Sequence, residues 1–117
     1  MASVLTLALP AAARPELASG DQLLNTDVAG CLAAADQFIQ DLGIEFSQGS
    51  IDRTGYFEDG VFRILCYGAG EEESLAVVFA SHDTSSDAVA DFIQLALSSL
   101  SRLQPETPSA QGLPQED

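Results

Sequence analysis

Two cysteines, Cys31 and Cys66, and one histidine, His82, are the residues of this 117-residue chain best suited by type to chemistry. A thiol within reach of an imidazole is the minimum for a cysteine nucleophile, and such a pair needs the sulfur at an exposed position. Cys66 stands instead in "RILCYG", residues 63–68, the most strand-like stretch of the chain. Alternation there puts Phe62, Ile64 and Cys66 on one face and Val61, Arg63, Leu65 and Tyr67 on the other. Arg63 marks the second face as the more exposed, so the cysteine turns inward and away from the only nearby cation. Three uses of the sulfurs follow: a Cys31–Cys66 disulfide, two buried thiols, or a reactive group; the burial of Cys66 argues against the last, and the even cysteine count favours the first.

The remaining candidates are weaker. His82 directly precedes Asp83 where a strand gives way to a helix, which suits a surface or capping-loop histidine; an enzyme reading would centre on this residue and the nearby acids. Glu71, Glu72 and Glu73 offer oxygens but lack the ordered spacing and the glycine of a calcium loop, and read as a solvated turn. "YGAG", residues 67–70, leads into acids and a strand and not into a helix N-terminus, the wrong setting for phosphate. No dinucleotide fingerprint, P-loop, zinc-protease or nucleophile-elbow motif occurs, so the sequence assigns no catalytic residue, metal or cofactor.

Composition narrows the partners. Eighteen acids against four basic residues give a formal charge of -14, with no lysine. Nucleic acid and anionic membrane surfaces require a cationic footprint, which this chain does not have. No apolar run approaches the roughly 18 residues of a membrane span. The N-terminal "MASVLTLALPAAAR" has an apolar stretch from Val4 to Leu9, a helix-breaking Pro10, and Ala11 and Ala13 in the spacing that signal peptidases prefer, without a basic region ahead of it. It reads either as the remnant of an export signal, with a mature chain beginning near Arg14, or as an apolar tail. Export would place the two cysteines in an oxidising compartment, periplasmic or secreted, whereas the tail reading leaves the chain cytoplasmic.

The elements that must position these residues come next. Val28, Cys31, Leu32, Ala35, Phe38, Ile39 and Leu42 follow helical spacing, with Asn25, Thr26 or Asp27 as cap and Gly43 as terminator. Strands are expected around 44–57, 61–67 and 74–81, joined by "EDG" at 58–60, where Gly60 would supply positive φ, and by "GAGEEE" at 68–73. Asp83, Thr84 and Ser85 compete to cap a second helix whose inner face carries Val89, Phe92, Ile93, Ala96, Leu100 and Leu103, with Asp87 at capping-box spacing from Thr84. From Gln104 the chain is acidic, proline-rich and aperiodic, a disordered tail.

The expected fold is therefore α+β: a helix, a three-stranded antiparallel meander and a helix, with both helices packed on one face of the sheet. Residues 1–24 are leader and linker, 25–103 one domain, and 104–117 tail. The small residues Gly30 and Ala34 beside Cys31 let helix and strand approach closely enough for a bridge to Cys66, closing a loop of about 35 residues. The outer face, with Val61, Leu65 and Tyr67 and either Leu75 and Val77 or Ala76 and Val78 beside them, is the candidate interaction surface unless the N-terminal segment covers it. The function expected is a bacterial exported binding module, non-catalytic, monomeric or homodimeric, with a protein partner. The alternative is a cytosolic acidic adaptor or chaperone-like protein that binds through the same face.

Overall fold

The computed structural model describes residues 15–103. The segment read as an export signal and the tail from Gln104 lie outside the described residues. The elements run β1 (Glu16–Leu24), α1 (Val28–Leu42), β2 (Glu45–Gln48), β3 (Asp52–Phe57), β4 (Gly60–Gly70), β5 (Glu73–His82) and α2 (Ser86–Arg102). The five strands form one antiparallel sheet in the order β1-β5-β4-β3-β2.

This overturns the expectation of a three-stranded meander between two helices. Two strands account for the difference. The stretch expected as one strand over 44–57 is a hairpin, β2 and β3, folded back at 49–51, with Gly49 N–H donating to the Asp52 carbonyl at 2.9 Å. Residues 16–24, which the sequence places in a linker, form β1, which crosses from one end of the chain to pair along its whole length with the last strand, from Glu16 opposite His82 to Leu24 opposite Ser74.

Local chemistry sets the helix ends. Asp27 is the cap of α1, its side chain accepting from Gly30 N–H at 2.9 Å, and Gly43 ends the helix in the left-handed region at φ 68°, its N–H donating to the carbonyls of Gln40 and Ile39. Ser85 wins the competition to cap α2, accepting from Ala88 N–H at 3.0 Å. Gly60 does not have the positive φ expected of it; it is strand residue opposite His82, and a Cβ there would lie 2.4 Å from the Ser81 carbonyl oxygen. Gly70, at φ 144°, is the positive-φ residue of the β4–β5 connection.

The core lies between sheet and helices. Phe62, Ile64 and Cys66 of β4 and Ala76, Val78 and Ala80 of β5 are buried against Cys31, Ala34, Ala35, Phe38 and Ile39 of α1 and Val89, Ile93, Ala96, Leu97 and Leu100 of α2. Four phenylalanines join the parts, with Phe62 and Phe92 ring centroids 4.6 Å apart and Phe38 and Phe57 within 6.1 Å of that pair. Arg53 of β3 ties the sheet to α1. Its guanidinium grips the Asp36 carboxylate with Nε and, at 3.5 Å, Nη2, while Nη1 donates to the carbonyls of Gly49 and Asp52 at 2.9 Å each. At the other side α2 presses on β1 at Gly20, where a Cβ would fall 2.8 Å from Ile93 Cγ2.

Candidate binding face

The structure joins Cys31 and Cys66 in a disulfide, with Cα atoms 6.0 Å apart and both residues fully buried. Alternation in β4 and helical spacing in α1 bring the sulfurs together as the sequence pattern expected. A bonded, buried pair has no thiolate, so neither cysteine is a nucleophile.

His82, at the end of β5, is engaged at both ring nitrogens. Nδ1 accepts from the backbone N–H groups of Thr84 and Ser85, at 3.1 and 2.9 Å, which places the proton on Nε2, 3.2 Å from Asp59 Oδ2. The imidazole thus binds the β5–α2 turn to the β3–β4 turn, and neither nitrogen is left over to take a proton from a substrate. A cleft of about 180 Å³ beside it is walled by Phe57, Phe62, Val89 and Phe92. Glu71 and Glu72 form the tip of the β4–β5 hairpin. Among the described residues no group of three or more His, Cys, Asp or Glu side chains is placed to hold a metal ion.

What remains is a surface. The register puts Val61, Arg63, Leu65 and Tyr67 of β4 on the side of the sheet away from α1 and α2, and aligns Leu65 with Val77 and Tyr67 with Leu75 of β5. Of the two sets of neighbours left open by the sequence, Leu75 and Val77 share this face, while Ala76 and Val78 are buried on the other. Phe79 of β5, Tyr56 of β3, and Leu17 and Leu23 of β1 extend it. Val61, Tyr67, Phe79, Tyr56, Leu17 and Leu23 are exposed, and Leu65, Leu75 and Val77 half-buried. A shallow groove of about 250 Å³ runs through Leu17, Thr54, Val61, Arg63, Phe79 and Ser81.

Charge is sparse on this side. Arg63 is its cation among the described residues; its Nε donates to Thr54 Oγ1 at 2.8 Å and lies 3.6 Å from Asp52 Oδ2. Asp21, Asp52 and Glu45 are the acids of this side, while Glu58, Asp59, Glu71, Glu72, Glu73 and Asp83 stand in the turns or beside them. The result is an apolar field ringed by carboxylates.

The part of this surface that the sequence does not betray is Leu17, Leu23 and Phe79. Phe79 follows from alternation once β5 is placed, but the leucines depend on a strand whose Ala-Ser-Gly-Asp centre has low strand propensity. Comparison with known proteins found no matching family model, no matching curated protein and no matching solved structure. Among the described residues no helix is long and apolar enough to cross a membrane.

Proposed function

We propose that the chain is a non-catalytic binding module, stapled by Cys31–Cys66 for service in an oxidising compartment, periplasmic or secreted, and that the helix-free side of its sheet is the binding surface. The observation that carries this reading is the contiguous field of Val61, Leu65, Tyr67, Val77 and Phe79, exposed or half-buried with no helix over it among the described residues, in a chain of charge -14. A soluble domain rarely leaves so many large apolar side chains together unless they meet a partner. The ring of acids selects that partner: a protein offering a neutral apolar patch with basic groups around it, since an acidic surface is repelled before contact.

The disulfide supports the compartment, because such bridges persist where thiols are oxidised. Cleavage after the Ala-x-Ala stretch at 11–13 would also leave β1 whole, its first residue being Glu16.

Two measurements test the reading. The intact mass of the protein from its native host, alkylated without reduction, should show no alkyl groups and a chain beginning near Arg14; two alkyl groups on a chain retaining its N-terminal segment would overturn the exported assignment. Covalent cross-linking in the same compartment should recover a partner with the wild-type protein and lose it with Tyr67→Glu, a change at an exposed site that leaves thermal unfolding unaltered. Equal recovery by both proteins would remove the sheet face from the function.

A further inference from the structure

Beyond that reading, and independent of it, the edge strand β1 carries the marks of an interface with a second copy of the chain. Among the described residues β1 pairs on one side only, with β5, and over nine residues it has no lysine, proline or bulge to blunt its open edge. The opposite edge strand, β2, is much shorter: it has four residues, one of them Glu45, whereas β1 carries Glu16 and Asp21 over nine. The two most exposed large apolar side chains among the described residues are both on β1, Leu17 at 72% and Leu23 at 56%.

Their positions are symmetric about Gly20. An antiparallel pairing of β1 with its own copy, centred on Gly20, sets Leu17 opposite Leu23 of the other copy twice, and Ser19 opposite Asp21 twice, all on the helix-free side. Neighbouring registers of the same parity fail: a shift toward the N-terminus puts Leu17 opposite Asp21, and a shift toward the C-terminus puts Asp21 opposite Asp21. The strand thus specifies one register with itself, the terminal Glu16–Leu24 pairs being its poorest match.

The helices allow it. A two-fold axis through the sheet beside β1 brings two copies of α2 together over the junction. Because α2 lies across both β1 and β5, its axis sits about one strand spacing from the two-fold, and the two helices stand roughly 10 Å apart, the ordinary distance for packed helices. The flank of α2 beyond Ile93 and Leu97, on the side away from Phe92, presents the exposed Ala90 and Gln94, with the exposed Asp87 one turn nearer the helix N-terminus.

We propose that the protein forms a two-fold dimer through β1, giving one ten-stranded sheet whose helix-free side is continuous across both copies. The test uses the full chain with its disulfide intact, followed by sedimentation velocity from about 1 to 200 μM, a range that brackets a micromolar Kd. A reversible monomer–dimer equilibrium is expected. Ser19→Glu places an acid opposite Asp21 twice and should weaken the dimer roughly fivefold to thirtyfold, less so in high salt, while Ser19→Lys should tighten it by a similar factor. Ser19 is exposed, so circular dichroism should show both variants folded. A protein monomeric throughout the range, as when residues 1–14 occupy the edge instead, overturns the proposal. So does a dimer whose Kd ignores both substitutions, since its interface then lies elsewhere.

Discussion

Removing the disulfide is the most quantitative perturbation the structure offers. The bridge closes a loop with a sequence separation of 35, and restricting the unfolded chain by that loop stabilises the folded state by roughly 4 kcal/mol. A domain of this size has a total stability of about 5 to 13 kcal/mol. The bridge is therefore a third or more of what holds the domain folded, and its loss should lower Tm by roughly 16 to 30 °C at about 4 to 8 °C per kcal/mol. Urea unfolding of the oxidised protein against the Cys31→Ala/Cys66→Ala variant measures the difference. The same comparison with reduced wild-type protein separates the cross-link from the packing of the sulfurs. Both residues are fully buried, so added reductant should open the bridge no faster than the domain itself unfolds. Oxidised and reduced forms within about 1 kcal/mol of each other would refute the reasoning, because the unfolded chain would then be gaining little freedom when the loop is cut.

Three further outcomes follow from the packing. Arg53→Ala removes the cation that links β3 to α1 and leaves Asp36, half-buried, with only the Gln48 amide to donate to it; a loss of about 2 kcal/mol in urea unfolding is expected, and a loss under about 0.5 kcal/mol would mean the pair is merely superficial. The hydroxyl of Ser74 is fully buried and has no hydrogen-bond partner among the described residues, so Ser74→Ala should raise stability by about 1 kcal/mol in the same assay, and a destabilisation would show that the hydroxyl is satisfied. Gly20→Val drives two methyl groups into Ile93 and Leu97; it should cost about 2 kcal/mol or more and raise amide exchange first in β1, whereas uniform exchange would show that α2 yields without releasing the strand.

The parts of the fold legible in the sequence are those whose residues obey one period without interruption. The helical spacing of α1 and α2, the aspartate and glycine at the ends of α1, and the alternation through Phe62, Ile64 and Cys66 each satisfy a local rule, and the disulfide follows from two of them together. The sheet departs from the sequence pattern where tertiary contact outweighs local preference. β1 holds Gly20 and Asp21 at its centre, poor strand residues by themselves, because Gly20 must admit Ile93 and Leu97 and because β5 supplies a template along its whole length. The β2–β3 hairpin turns within "SQGSID", where Gly49 and Ser50 are turn residues set between two strand-like runs. Alternation alone makes Val61, Leu65 and Tyr67 an outward set, yet their continuity with Leu17 and Leu23 depends on which strand lies beyond β5. His82 illustrates a further limit: its engagement at both nitrogens depends on the Asp59 turn, twenty-three residues earlier.

The pairing of β1 with β5 also bears on when the domain takes shape. β1 is made early, but its hydrogen-bonding template spans Glu73–His82, near the end of the described domain, and α2, which presses on Gly20, follows later still. The sheet therefore cannot close while the chain is only partly synthesised, and the contacts that complete it are among the most distant in sequence, which slows folding. A chain built in this order completes its sheet only after its C-terminal half has been released.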